Sequence, residues 1–310
     1  MDAENLTSIT EFILVGLSNQ RTTQLLLFVA ILLTYSLTIM GNLVVILLVR
    51  FDPCLQTPMY YFLMHLSSLE IFYVTSTEPQ MLAHLLAGNG VISYTRCAAQ
   101  LFDSLSLGAS ECFLLAVMAY DRYLAICQPL LYPVVMDRGC QMQLASSCWV
   151  GGFLYGTIYV GCTFYHTYCG PNRINHFMCE MPLVLKLACD DTHISQTIVF
   201  VLAGVGLLIS IIVVVTSYTI ILFSVLQMRS VTGLRKAFST CVSHLIVVTM
   251  FYGTILFMYA IPHSETSLNH DKNIALFYVV GTPFLNPIIY TLRNKDVHKA
   301  VARVLRRGGF

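Results

Sequence analysis

Apolar runs long enough to carry an α-helix across a bilayer, about 20 residues each, recur seven times along this 310-residue chain. They fall at 25–49, 59–81, 98–118, 143–163, 198–226, 237–261 and 274–292. The fifth is the least ambiguous, with Ile209, Ile211, Ile212, Val213, Val214 and Val215, whereas Glu70, Glu78 and Pro79 interrupt the second. The runs are continuous rather than alternating, which favours helices over barrel strands. Composition agrees: 56% of residues are hydrophobic and 11% charged, too few charges to cover a water-exposed globule and too apolar for a disordered chain. A net charge of +1 with no long basic run excludes the electrostatic footprint of nucleic-acid binding. The expected fold is an all-α membrane protein, a seven-transmembrane helix bundle with a short amphipathic C-terminal helix.

Seven spans put the termini on opposite sides. With the N-terminus outside, the inner segments hold twelve basic residues: Arg50, Arg122, Arg138, Arg229, Arg235, Lys236, Arg293, Lys295, Lys299, Arg303, Arg306 and Arg307. The outer segments hold five: Arg21, Arg96, Arg173, Lys186 and Lys272. The positive-inside bias therefore places the N-terminus outside and the C-terminus in the cytoplasm. Asn5-Leu6-Thr7 is a glycosylation sequon, usable on that side only, and the first span would serve as signal anchor. The expected organisation is an extracellular N-terminus at 1–24, the seven-transmembrane bundle at 25–292 and a cytoplasmic tail at 293–310. In that tail Val297, Val301, Val304 and Leu305 recur at helical spacing among basic residues, a pattern that reads as an amphipathic helix on anionic membrane lipid or as a basic stop-transfer tail. Of eleven cysteines, Cys97, Cys169, Cys179 and Cys189 fall outside, where disulfides are permitted; spacing alone leaves three connectivities open.

Two motifs carry mechanism. The third span ends in Met118-Ala119-Tyr120-Asp121-Arg122-Tyr123-Leu124-Ala125-Ile126-Cys127, and the seventh holds Pro283-Phe284-Leu285-Asn286-Pro287-Ile288-Ile289-Tyr290. Together in a seven-span chain they resemble those of rhodopsin-like (class A) G-protein-coupled receptors. Further segments narrow the resemblance to olfactory (odorant) receptors: Gly41-Asn42, Leu55-Gln56-Thr57-Pro58-Met59-Tyr60, Leu66-Ser67-Ser68-Leu69-Glu70, Ser217-Tyr218, the stretch from Lys236 to Leu245, and Phe251-Tyr252-Gly253-Thr254. Two positions depart from the usual pattern of that family, Gln56 where His is common and Gln80 where Lys is common.

The resemblance implies a plasma-membrane receptor that takes a small volatile odorant in the outer half of the bundle. It further implies activation of a stimulatory-type heterotrimeric G protein, raising cAMP, with no cofactor. Family position implies a pocket of Ser104, Leu105, Gly108, Leu202, Gly206, Tyr252, Ile255, Leu256, Tyr259, Leu276 and Val279. It implies a switch of Asp121, Arg122, Tyr123, Tyr218, Asn286, Pro287 and Tyr290, and the disulfides Cys97–Cys179 and Cys169–Cys189. In the switch, Arg122 would be held by Asp121 at rest and released toward Tyr218.

Four acids fall within spans, where ionisable groups usually face the bundle interior. Glu70 and Glu78 are eight residues apart on the second span, as are Asp103 and Glu111 on the third, about 12 Å of rise in each case. The helices are antiparallel, so Glu70 is expected near Glu111, and Glu78 at the depth of Asp103. The inner pair, with Asn286 nearby, reads as an ion or proton site, or as a protonated acid bonded within the core. Asp103, with Glu78, reads as an attractor for an amine, or as half of an internal salt bridge to Arg96. A metal site at His176, Cys179 and Glu180 fails if Cys179 is in a disulfide. Gly152 and Gly156 permit close helix approach. No zinc, phosphate-loop or nucleophile-elbow motif occurs, so an enzyme is not expected. The alternatives are a non-olfactory chemosensory receptor and an ion channel or transporter, the latter opposed by the absence of internal repeats.

Overall fold

The computed structural model describes residues 9–169, 171–227, 231–260, 268–292 and 295–307. Seven long helical segments form the bundle: α1 (Arg21–Phe51), α2 (Pro58–Ala87), α3 (Tyr94–Cys127), α5 (Arg138–Phe164), α7 (His193–Leu226), α8 (Val231–Ala260) and a composite seventh. That last one runs through α9 (Leu268–Leu276), a π-helical turn (Phe277–Gly281) and α10 (Thr282–Leu292). Two short helices, α4 (Tyr132–Val135) and α6 (Met181–Leu185), lie in connections, and α11 (Lys295–Arg307) follows the bundle. Local chemistry sets many boundaries. The Ser93 hydroxyl caps α3 by accepting from Arg96 N, and Asp137 caps α5 by accepting from Cys140 N. Pro58 stands in the first turn of α2, and Gly88 closes that helix at φ 72°.

The distribution of side chains is that of a membrane protein. On α7 the exposed face carries Phe200, Leu208 and Ile212, while Ser210 and Ser217 point inward. Inside the bundle lie Asn42, Glu70, Glu111 and Asn286, all buried. By length and composition alone, Arg21–Phe51, Tyr94–Cys127, His193–Leu226 and Lys272–Thr291 suffice to cross a membrane. Helices α2 and α5 are less apolar because they carry His65, Glu70, Glu78 and His84, and Gln141 and Gln143, respectively. They nevertheless pack beside the others at similar length, with α3 in contact with α2, α5, α7 and α8.

The seam between α3 and α5 is made close by missing side chains. A Cβ on Gly152 would stand 1.9 Å from Ser110 Oγ and 2.4 Å from the Ser106 carbonyl oxygen, and one on Gly156 would stand 1.9 Å from Ser106 Oγ. The two glycines are therefore spent on packing within the bundle.

One end of the bundle carries a lid that helical periodicity does not foresee. Strand β1 (Glu11–Leu14) lies between β2 (Val91–Ser93), antiparallel with Phe12 opposite Ile92, and β3 (Arg173–Ile174), parallel with Leu14 opposite Ile174. Phe12, Ile92, Ile174, Tyr168 and Val184 give this lid its own small core around the Cys97–Cys179 disulfide. The connection 165–192 is thus partly strand and partly helix. A second disulfide joins Cys169 to Cys189.

Candidate functional site

At the end of the bundle opposite the lid, the last turns of α3 gather a buried charge pair. Arg122 Nη2 lies 2.6 Å from Asp121 Oδ2, and Asp121 is 0% exposed. The other carboxylate oxygen accepts from the Tyr132 hydroxyl of α4 at 2.8 Å. Burial, and then the Asp121 charge, raise the pKa of that hydroxyl, so it remains a donor. Arg122 Nε has no hydrogen-bond partner among the described residues, which leaves part of the guanidinium uncommitted there. Across the bundle, Tyr218 Oη on α7 shares a 2.6 Å hydrogen bond with His244 Nδ1 on α8, and Arg122 is near enough to act on both electrostatically. Tyr123 accepts from Gln128 instead, and its ring packs in the same small apolar cluster as Tyr218, with Ile221 and Cys241. The contributions of Tyr132 and His244 carry no periodic signal; only the pairing of elements brings them to the motif.

Midway along the bundle, Asn286 Nδ2 on α10 donates to Glu70 Oε1 at 2.5 Å, and Glu111 is close enough for the two carboxyls to interact. Glu111 Oε1, Asn286 Oδ1, Asn42 Oδ1 and the Tyr290 hydroxyl are buried there without hydrogen-bond partners among the described residues. Such a concentration of orphaned oxygen atoms is what a bound cation or water would satisfy. Pro287, next to Asn286, packs near Gly41 of α1: a Cβ on that glycine would stand 3.2 Å from Pro287 Cγ.

Nearer the lid, the expected pocket residues are divided. Tyr252 donates to the Cys112 carbonyl at 3.0 Å and is buried, as are Ser104 and Val279. Ser104 donates to the Leu101 carbonyl, and Gly108 leaves space taken up by the Tyr278 hydroxyl. Leu105, Leu202, Ile255 and Leu276 are half-buried, Leu256 is 46% exposed, and Gly206 sits beside Phe113 and Tyr155. The side chain of Tyr259 and the sequon at Asn5 lie outside the described residues. A cavity of about 40 Å³ under the lid and a groove of about 430 Å³ between α8 and α9 are lined by other residues. Glu78 is 0% exposed with neither carboxylate oxygen bonded, and Asp103 is half-buried with no salt bridge to Arg96 among the described residues.

The lid is stitched by polar contacts as well as sulfur. His166 bridges Asp190, at 2.6 Å, and Ser195, at 2.8 Å; its hydrogen bond holds the Asp190 carboxyl below the usual carboxylate range. Lys272 Nζ donates to the Gly16 carbonyl and to Asn175 Oδ1. With Cys179 in its disulfide, no thiolate is left for a metal beside His176 and Glu180.

Comparison with known proteins decides what such a bundle is. A family model described as Olfactory receptor matches residues 31–307. The chain belongs to the olfactory receptor family. This receptor is 47% identical over 302 residues to Olfactory receptor 5AP2 of Mus musculus, covering 97% of this chain and 95% of that one. It is 46% identical over 303 residues to Olfactory receptor 5M5 of Mus musculus, covering 98% and 95%. Olfactory receptor 5AP2 of Homo sapiens is 47% identical over 302 residues, covering 97% and 95%. The family is one of multi-pass membrane receptors, not enzymes, and this receptor shares its class A character.

Proposed function

We propose that this receptor binds a small volatile odorant in the lid half of the bundle and activates a stimulatory-type heterotrimeric G protein at the opposite end, raising cAMP. The observation that carries the reading is the buried Arg122–Asp121 pair with its Tyr132 clamp, set across from the Tyr218–His244 pair. A receptor needs an element with two packings whose balance a ligand biases. Here the resting packing holds Arg122 on Asp121. The active packing frees it toward Tyr218 as α8 moves, and the exposed guanidinium meets the G protein.

Ligand pressure would reach that switch through Tyr252, whose hydroxyl is bonded across to α3, and then through Asn286, Pro287 and Tyr290. Ser104 and Tyr259 are the polar groups of an otherwise apolar pocket, as small volatile ligands require. Glu70, Glu111 and Asn286 form an ion or proton site that favours the resting packing, supported by the orphaned oxygens around them. The lid faces the extracellular side and α11 the cytoplasm, supported by the bias of basic residues and by the two disulfides.

The test is an odorant screen with a cAMP readout in cells that carry the receptor on their surface. An agonist is expected to raise cAMP in wild type and to raise none in Arg122→Ala at equal surface density. A ligand-gated current that persists without G protein would instead establish a channel.

A further inference from the structure

Beside the lid, one imidazole joins three parts of the chain. His166 stands two residues beyond α5, Asp190 lies late in the 165–192 connection, and Ser195 is the third residue of α7. His166 Nδ1 is 2.6 Å from Asp190 Oδ2, and its Nε2 is 2.8 Å from Ser195 Oγ. An ionised carboxylate only accepts, so in the neutral ring Nδ1 carries the proton and Nε2 accepts from the Ser195 hydroxyl. The other Asp190 oxygen accepts from Thr167 N at 3.2 Å. The backbone around the three is fastened independently of them. Cys189 N donates to the Thr167 carbonyl at 2.9 Å, Tyr168 bridges to Ala188, and a disulfide joins Cys169 to Cys189. The His166 side chain is 5% exposed, whereas Ser195 is half-buried and its neighbour Ile194 is open to the outside. The base is shielded and the hydroxyl stands next to free surface.

A hydroxyl that donates to a buried imidazole, itself oriented by a carboxylate, is the order of groups that makes serine a nucleophile toward an acyl carbon. Capping does not account for it, because the first N–H of α7 is served by Asp191 Oδ1 at 2.9 Å. The N–H groups of Ile194 and Ser195, in the same turn, have no carbonyl within the helix to bond. They set the positive end of the helix dipole beside Ser195, where an attacked carbonyl would gather negative charge. Tyr165 and Ile194 are strongly exposed and offer apolar surface on both sides of the pair His166 and Ser195. The Asp190 side chain is 43% exposed, so water screens its charge and the base is weaker than one in a closed triad. Such a base suits an ester with a good leaving group.

We infer that Ser195 is a covalent modification site, which takes the acyl group of a short-chain aryl ester. Its Oγ adds to the ester carbonyl carbon while its proton passes to His166 Nε2. The carbonyl then re-forms, the bond to the aryl oxygen breaks, and that oxygen leaves with the proton from Nε2. Ser195 gains the acyl group, a phenol is released, and nothing is oxidised or reduced. This is one acylation of the receptor rather than turnover. It goes beyond the receptor reading and uses neither the pocket around Tyr252 nor the Arg122 switch.

The experiment treats purified full-length receptor in lipid nanodiscs with p-nitrophenyl butyrate at neutral pH, quenches it with acid at intervals, and locates butyryl groups by peptide mass spectrometry. Ser195 is expected to react about a hundredfold faster than Ser93, whose hydroxyl is bonded to Arg96 N and Thr95 and to no imidazole. His166→Gln should slow the reaction at Ser195 by a similar factor. Asp190→Asn keeps an oxygen for Thr167 N but disorders the imidazole, so it should lower the rate at saturating ester and leave the half-saturating concentration unchanged. Reaction at Ser195 no faster than at Ser93, an undiminished rate in His166→Gln, or butyryl on Lys186 in place of Ser195 would overturn the proposal. If the variants do not fold, wild type decides. Its preference for Ser195 should disappear after unfolding in sodium dodecyl sulfate, and a preference that survives unfolding would overturn the proposal too. The readout involves no G protein, and Arg122→Ala should react as wild type does. A receptor that signals without acylating loses this site and keeps the reading above. One that acylates but raises no cAMP keeps this site and loses the coupling.

Discussion

The Tyr132 hydroxyl holds one oxygen of Asp121 while Arg122 holds the other, so the carboxylate is oriented from two sides. Replacing Tyr132 with Phe removes that one bond at nearly constant volume, which weakens the resting packing by about 1.5–3 kcal/mol, as for a hydrogen bond to a charged group. Tyr132→Phe is therefore expected to raise ligand-independent cAMP relative to wild type at matched surface density, and unchanged basal cAMP would remove Tyr132 from the switch. Gly152 poses a different kind of test, because what matters is the atom it lacks. Ser110 Oγ can rotate away from an added methyl, but the Ser106 carbonyl, 2.4 Å from it, cannot move without α3. Gly152→Ala should cost at least about 1–3 kcal/mol, as overpacking does, and lower the thermal midpoint. Gly161→Ala on the same helix meets open space within 4 Å and should hold or raise it.

At the level of elements, α11 is pinned to the turn after α1 by Arg303, whose Nε and Nη2 lie 3.0 and 2.7 Å from Asp52 Oδ2. Arg303 holds the Asp52 carboxyl below its ordinary range. A depressed carboxylate contributes stability that is complete above its unfolded pKa of about 3.9 and lost only as pH falls through the lower folded value. Amide exchange in α11 should accordingly stay constant from pH 8 to pH 5 once corrected for intrinsic rates. Asp52→Asn should speed it across that whole interval, and equal exchange in mutant and wild type would show that the pair does not hold the helix. Much of the element plan was legible beforehand, because twenty-residue apolar runs and the Asp121-Arg122 and Asn286-Pro287 motifs are local. The strands were not legible: β1 has four residues, β2 three and β3 two, far too short for alternation to show, and they are defined by partners distant in sequence. Tyr132, His244 and Arg303 were missed for the same reason. The four acids were visible as exceptions to lipid chemistry, yet only packing could separate Glu70, bonded to Asn286, from Glu78, which has no hydrogen bond among the described residues.

Taken as one molecule, the receptor has a permanent fastening at the lid and adjustable ones at the far end. The Cys97–Cys179 disulfide ties the top of α3 to the 165–192 connection across 82 residues of sequence, and removing a native bridge costs roughly 2–5 kcal/mol. Cys179→Ser should lower both the thermal midpoint and the fraction of receptor reaching the cell surface, and wild-type values of both would show that the sheet alone holds the lid. The central strand of that sheet imposes an order on how the protein is made. Residues 11–14 leave the ribosome before either partner strand; one neighbour emerges some eighty residues later and the other after about one hundred and sixty, once the first four long helices of the bundle have been synthesised. This strand therefore has to wait unpaired, with Phe12 uncovered, while half the receptor is built. Any tag, leader or sugar placed ahead of residue 11 travels with a strand that is still looking for its slot, so the spacing between such an addition and Glu11 should govern how much receptor matures.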